Sequence, residues 1–246
     1  MTRSETRLDL PAELSDASHA APGIYDLPIP GAWVYVPRIH EDDRGAFHES
    51  FRAEQWADKL GYPFTIAQAN LSRSKQNVIR GIHVAEVPPG QAKFVNCASG
   101  AISDVLVDLR RSSPTFGRHL SIDLTERNNW AVYVPVGVGH GFRAHSDHTT
   151  VTYLVTEAYN PEREFEVNAF DPQLEVEWGI TQAEAVLSDK DVVAPTLEDT
   201  RDRLPEWREC LAWEQELRAE WTEAMAESEA WGSEDGESGR RTQGGS

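Results

Sequence analysis

The segment RGIHVAEVPPGQAK, residues 80–93, sets one arginine, one histidine and one lysine into a strand, turn, strand pattern. In a regular strand Arg80 and Ile82 share one face, and Gly81 and His83 share the other. Gly81 permits a bulge, which would turn Arg80 and His83 toward the same side. A lone strand histidine is more often structural or exposed than catalytic. Cations beside it change that balance, because they favour the neutral imidazole that a general base requires near pH 7. Lys93 returns on the next strand after the Pro-Pro-Gly turn. In AQANLS the polar residues Gln68, Asn70 and Ser72 recur at every second position, so one strand face carries three hydrogen-bonding side chains, directed either to water or into a cavity. The turn-rich VPVGVGHGF presents His140, at an exposed corner or at a site. Tyr153 in TVTYLVT reads as a half-buried strand aromatic, and becomes a competent proton donor if it faces a polar cavity.

Short runs must position these residues. AWVYVP, FTIAQANLS, KFVNCAS, AISDVLVDLR, HLSIDLT, AVYVPV, HGFRAHS and TVTYLVTEAY alternate apolar and polar residues between Gly, Pro, Asp and Asn breaks, which predicts a sandwich or barrel. One helix is expected at SFRAEQWADKLG, with Phe51, Trp56 and Leu60 on one side and Gly61 ending it. A second, amphipathic helix is expected from Pro205 to about Trp231, on a stripe of Cys210, Trp213, Leu217, Trp221 and Ala224. The organisation read from these patterns is a flexible arm over 1–22, a β domain over 23–196, a helical extension over 197–231 and a disordered tail over 232–246.

With 23 Lys and Arg against 41 Asp and Glu, the net charge of -18 argues against nucleic acid or an anionic membrane as partner. Only Cys97 and Cys210 are present, too few for a disulfide framework, and a cytoplasmic location is expected. The N-terminus has no apolar signal-type core, and no run of about 18 apolar residues suggests a membrane span. Two histidines on different strands raise a metal reading. Residues 80–93 offer only His83 with Glu86, short of the three protein ligands usual for a stable site, so no metal is expected.

The order of DRGAFHESF, QANLSRS, RGIHVAEVPPGQAK, DVLVDLRRSSPTFG, VPVGVGHGF, TYLVTEAYNPERE, FDPQLEVEW and LSDKD resembles the nucleotide-sugar 3,5-epimerase family over roughly residues 29–195. The resemblance implies a mainly β, cupin-type jelly-roll barrel with a few short helices, a homodimer, no cofactor, and a dTDP-4-keto-6-deoxyhexose as substrate. It also implies roles. His83 matches the general base, Asp191 its carboxylate partner, Tyr153 the acid on the opposite face of the sugar, and Lys93 the cation beside the C4 oxygen. Arg44, Glu49, Gln68, Asn70 and Arg80 match residues that hold the nucleotide and diphosphate. His140 matches a cavity-lining position, and Tyr159 a contact to the base or sugar.

The chemistry suits these residue types. A proton at C3 or C5 of a 4-keto sugar is acidified by the carbonyl, and its removal leaves an enolate that a cation must stabilise. A preorganised donor at a developing oxyanion contributes about 3 kcal/mol, and a positioned acid or base roughly 10²- to 10⁴-fold. HVAEVPPGQAK and PEREFEVNAFD look more like epimerases of secondary-metabolite deoxysugar pathways than housekeeping rhamnose enzymes, which leaves open whether C3, C5 or both are inverted. Two other readings compete: a 3,4-ketoisomerase on the same barrel, and a non-catalytic nucleotide-sugar binder whose acidic helix recruits a pathway enzyme. The retained His83, Asp191, Tyr153 and Lys93 favour epimerisation.

Overall fold

The computed structural model describes residues 6–238. Its strands, in chain order, are β1 (Gly23–Asp26), β2 (Trp33–Val36), β3 (His40–Asp42), β4 (Gly45–Phe47), β5 (Gln68–Ser74), β6 (Ile79–Ala85), β7 (Lys93–Ser99), β8 (Ala101–Asp108), β9 (His119–Thr125), β10 (Ala131–Val134), β11 (Val138–Ala144), β12 (Thr149–Val155) and β13 (Glu164–Glu166). The helices are α1 (Ala53–Leu60), α2 (Asp189–Val192) and α3 (Trp207–Ser238), with two short 3₁₀ turns. The chain divides into two compact units, Met1–Phe51 with Thr65–Cys210, and Arg52–Phe64 with Leu211–Ser246.

In the first unit, a six-stranded sheet ordered β1-β2-β10-β7-β12-β5 and a five-stranded sheet ordered β13-β6-β11-β8-β9 are antiparallel throughout. This is the jelly-roll barrel expected from the sequence. Alternation assigns its faces. Val34, Val95, Leu106, Leu120, Ile122, Val132, Phe142 and Val151 from both sheets form the inner core. The opposite face of the five-stranded sheet carries Ile79, Ile82, Val84, Val105 and Val107, covered by Phe165, Val167, Leu174, Trp178, Leu197 and Leu204. Each fully buried apolar side chain of this size contributes roughly 1.5–3 kcal/mol. The covering segment therefore stays on the barrel, and α2 with it.

On β5 the even-numbered residues Gln68, Asn70 and Ser72 are half-buried, while Ala69, Leu71 and Arg73 are exposed. The polar face thus points inward. On β6 the phase breaks: His140 pairs with His83 and Phe142 with Arg80, so Gly81 and Ile82 stand opposite the single residue Gly141. Gly81 has φ +113°, and a β-carbon there would lie 2.6 Å from the His140 carbonyl oxygen. Only glycine fits that position.

The N-terminal arm differs from its expectation. Residues 6–22 are not a loose tether: Leu8 and Leu14 are buried in the inner core, and a 3₁₀ turn spans Ala12–Leu14. The Leu8 N–H donates to the His119 carbonyl at 2.7 Å, and the His119 N–H to the Thr6 carbonyl at 2.9 Å. Two leucines spaced along a polar segment suffice to dock it on the edge of β9. Residues 1–5 of that arm lie outside the described residues.

In the second unit Trp56 and Leu60 are buried, and Gly61 at φ +79° ends α1 with its N–H on the Ala57 carbonyl at 2.8 Å. Phe51 falls outside the helix and packs edge-on to Phe94 in the first unit to which both belong. Arg218 of α3 donates from Nε to the Leu60 carbonyl at 2.8 Å and pairs with Glu214 at 3.0 Å, placing a cation at the C-terminus of α1. Trp213, Leu217 and Trp221 are half-buried, whereas Ala224 is exposed. Pro205 lies before α3 rather than in its first turn, because the Arg111 N–H donates to the Pro205 carbonyl and the Trp207 N–H returns to Arg111, which holds residues 205–207 extended. The helix also runs to Ser238, into the tail expected from 232. No proline interrupts it there, and extending a formed helix avoids the cost of nucleation. The rest of that tail, 239–246, lies outside the described residues.

Gly81→Ala is expected to destabilise the protein by at least about 2 kcal/mol, from the left-handed backbone and the β-carbon clash, read as a lower urea midpoint. An unchanged midpoint would show that β6 does not need the glycine.

Candidate active site

The register of the first unit converges polar side chains between the sheets. From the six-stranded sheet, Lys93, Val155 and Gln68 form one cross-strand rung, and Val95, Tyr153 and Asn70 the next. From the five-stranded sheet come His83 beside His140, and Arg80 beside Phe142. All of these but Val95 and Val155, with Gln91, Tyr159, Glu164 and Lys190, line a cavity of about 350 Å³. Phe142 belongs to both the inner core and the cavity wall, so apolar packing closes one side of the pocket.

His83 Nε2 lies 2.9 Å from Asp191 Oδ1, and Asp191 Oδ2 accepts from Ser188 Oγ at 2.6 Å. Asp191 is buried in α2, whose N-cap is Ser188. Burial pushes its carboxyl up, but hydrogen bonds from His83 and Ser188, with the nearby Lys190 charge, outweigh this and hold it below the usual carboxylate range. A second pair stands behind: His140 Nε2 is 2.7 Å from Asp104 Oδ1. Asp104 is fully buried and its Oδ2 has no hydrogen-bond partner among the described residues.

Lys93 is 7% exposed. Burial pushes its amine down, Glu164 opposes that, and Lys190 adds to it. Burial pushes the Tyr153 phenol up, Arg80 and Lys190 pull it down, and Glu164 supports the rise, leaving it above its ordinary value. Tyr153 therefore holds its proton at neutral pH. Gln68 Nε2 donates to Asn70 Oδ1 at 2.6 Å, and Gln68 Oε1 accepts from the Tyr159 N–H at 3.0 Å. Arg80 Nε donates to Ser74 Oγ at 3.2 Å. Lys190 Nζ donates to Glu166 Oε1 at 2.6 Å and stands 6.0 Å from the Tyr159 ring centre. The arrangement offers a base–carboxylate pair on one wall, a proton-bearing phenol and a cation on the other, and polar groups at the rim. Among the described residues no three His, Cys, Asp or Glu are grouped to hold a metal ion.

The family model for dTDP-4-dehydrorhamnose 3,5-epimerase matches residues 26–199. The chain belongs to that family. It is 42% identical over 196 residues to the dTDP-4-dehydrorhamnose 3,5-epimerase of Mycobacterium tuberculosis, covering 78% of this chain and 97% of the relative. A 3'-monoepimerase of Streptomyces bikiniensis, solved in complex with dTDP-quinovose, superposes with a TM-score of 0.76 at 42% identity, over 78% of this chain and 98% of that one. A 4-keto-6-deoxy sugar epimerase from the novobiocin cluster of Streptomyces spheroides superposes with a TM-score of 0.74 at 41% identity, over 76% and 94%. The family thus includes relatives named for one inversion and for two. All of α3 lies beyond the residues that the family model matches.

Of the residues singled out for this epimerase family from sequence, the cavity brings together His83, Lys93, Tyr153, Gln68, Asn70, Arg80, His140 and Tyr159, with Asp191 behind His83. Arg44 and Glu49 are not among them. Arg44 sits in the exposed turn between β3 and β4, paired with Asp42, and Glu49 is exposed just beyond β4. Gln91, Phe142, Glu164 and Lys190 line the cavity without having been singled out. Lys190 adjoins Asp191 in LSDKD, and Gln91 precedes Lys93 by two positions, one strand period, so proximity to chosen residues was the available signal.

Because the folded-state value of Asp191 lies below its unfolded one, the stability it contributes is present above the ordinary carboxylate range and is lost as pH falls through the folded value. Asp191→Asn should therefore lose less urea stability than the parent between about pH 6 and about pH 3. Equal losses would show that the His83–Asp191 contact does not contribute to folding.

Proposed function

We propose that the protein is an epimerase inverting C3, C5 or both of a dTDP-linked 4-keto-6-deoxyhexose, without a cofactor. The observation that carries this reading is the placement of a histidine–aspartate pair and a protonated tyrosine on facing sheets of one cavity. Inversion needs a proton removed from one face of the sugar and another delivered to the opposite face.

In this reading His83 takes the proton next to the C4 carbonyl on Nδ1, since Nε2 donates to Asp191. The short contact to Asp191 orients the ring and stabilises the imidazolium that results. Lys93 stabilises the enolate oxygen at C4, and Tyr153 delivers its phenolic proton to the opposite face, later recovering one from solvent. Arg80, Gln68 and Asn70 hold the diphosphate and nucleotide, Tyr159 contacts the base or sugar at the rim, and His140 lines the sugar end. Anchoring the substrate through its phosphates places the ring carbons at the base and acid, which supplies the orientation that catalysis needs.

Arg44 and Glu49 serve the nucleotide best if their exposed hairpin reaches the cavity of a second copy. That supports a homodimer, as do Phe47 on the hairpin, 67% exposed, and Leu71 on edge strand β5, 64% exposed. Two buried free cysteines support a cytoplasmic location, and no described helix is long and apolar enough to cross a membrane. Likeness to the novobiocin-cluster enzyme supports a place in a secondary-metabolite deoxysugar pathway.

Incubation with dTDP-4-keto-6-deoxyglucose in D₂O, without added metal or nicotinamide, should wash deuterium into C3, C5 or both, located by NMR and mass spectrometry. His83→Ala and Tyr153→Phe should each remain folded and lose roughly 10²- to 10⁴-fold in turnover. Absence of exchange with the nucleotide sugar bound would overturn the reading, and a product with a displaced carbonyl would replace it with a ketoisomerase.

A further inference from the structure

Basic side chains crowd the cavity. Arg80 and His83 face it from β6, Lys93 from β7, His140 from β11 and Lys190 from α2, with Tyr153 on β12. Glu164 is the only carboxylate among the described residues that line it. The nearby acids are otherwise engaged: Glu166 by Lys190 at 2.6 Å, Asp191 by His83 and Asp104 by His140. An ammonium as enclosed as Lys93 is disfavoured in its charged form unless an opposite charge lies close.

Glu164 is built to provide that charge. In β13 the central Phe165 points into the outer core, so alternation turns Glu164 and Glu166 together toward the other face. Glu164 Oε1 accepts from Gln91 Nε2 at 3.2 Å and from the Asn160 N–H at 3.2 Å. Gln91 is itself held by a second bond to the Glu157 carbonyl at 2.9 Å. The carboxylate is thus fixed from two directions while still lining the cavity.

We infer that Glu164 is a positioning residue for the reaction: pinned by Gln91 and Asn160, its carboxylate keeps Lys93 an ammonium and Tyr153 an un-ionised phenol. The inference rests on the epimerase reading for its purpose. Both favoured species are the proton-bearing forms, one needed to stabilise an enolate and the other to deliver a proton. Burial and Lys190 drive the Lys93 amine down and Glu164 opposes them, while for Tyr153 burial raises the phenol and the same carboxylate adds to that rise against Arg80 and Lys190. Removing the charge lets both groups lose their protons at lower pH, and the alkaline limb of the rate profile moves down with them.

Glu164→Gln preserves the size of the side chain and an oxygen for Gln91 and Asn160 while deleting the charge. In the full chain labelled with ¹³C at lysine Cε, the Lys93 resonance, assigned by its loss in Lys93→Arg, should titrate at lower pH than in the parent, with Lys59 and Lys75 as internal references. The alkaline limb of deuterium exchange should fall in the same direction and the acid limb stay in place. An unmoved Lys93 midpoint in a folded Glu164→Gln protein overturns the inference, whether or not the enzyme turns over. A lowered midpoint in a protein whose parent shows no exchange upholds the electrostatic role and rejects the epimerase reading alone. Should Glu164→Gln not fold, Gln91→Leu, which releases the carboxylate, should lower the same midpoint, and an unmoved midpoint there overturns the inference equally.

Discussion

A β-strand sends successive side chains to opposite faces, and the site requires β6 to break that rule. Arg80 and His83 are an odd number of residues apart, yet both line one cavity. The two-for-one bulge at Gly81 and Ile82 against Gly141 resets the phase in the middle of the strand, leaving Ile79 and Ile82 in the outer core and His83 inside the barrel. Arg80 and His83, three positions apart on one rigid element, can then serve one cavity. Without the bulge, either the arginine or the histidine would sit among the apolar residues under Phe165 and Leu174.

The second constraint is electrostatic. Arg80, Lys93 and Lys190 line one cavity, and enclosure disfavours their charged forms unless acids lie close. The structure answers with carboxylates that do not themselves line the cavity: Asp191 behind His83, Asp104 behind His140, Glu166 behind Lys190. The outer core packs against the elements that carry these acids, and so fixes where the acids stand. Leu197 illustrates the link, since its N–H donates to buried Asp171 at 2.7 Å while its side chain packs with Ile79 and Val84, fixing the segment just after α2.

Much of this was legible in the residue order. Period-two alternation in AQANLS defines the face that points inward, and Gly81 permits the bulge that the register of β6 shows. What alternation could not reveal is which of two faces a barrel encloses, because closure depends on strand order and not on local pattern. The arm was misread for a related reason: Leu8 and Leu14 carry no periodic signal, and their burial follows from an open sheet edge at β9 that only the assembled fold displays. Glu164 was passed over because a Glu-Phe-Glu triplet resembles any solvated edge strand. Its meaning arises from Gln91 and Lys93, some 70 positions away in sequence. Arg44 and Glu49 were chosen by resemblance, and a single chain leaves them on an exposed hairpin.

Relatives named as a 3'-monoepimerase and as a 3,5-epimerase are equally similar to this chain, each at 42% identity. Overall similarity therefore cannot set how many centres are inverted. Nor can the identity of base and acid alone, since C3 and C5 flank the same C4 carbonyl and are activated by the same enolate chemistry. Under the proposed roles His83 and Tyr153 serve both centres, so a second inversion would require the hexose to present its other α-carbon to the same pair while the diphosphate stays anchored. The ring must turn about its link to the phosphates in the space bounded by Phe142, Tyr159 and the Lys93 wall. In the proposed reading regiochemistry depends on how freely the intermediate rotates before it is reprotonated, and the residues that restrict rotation are those of the wall rather than those that move protons.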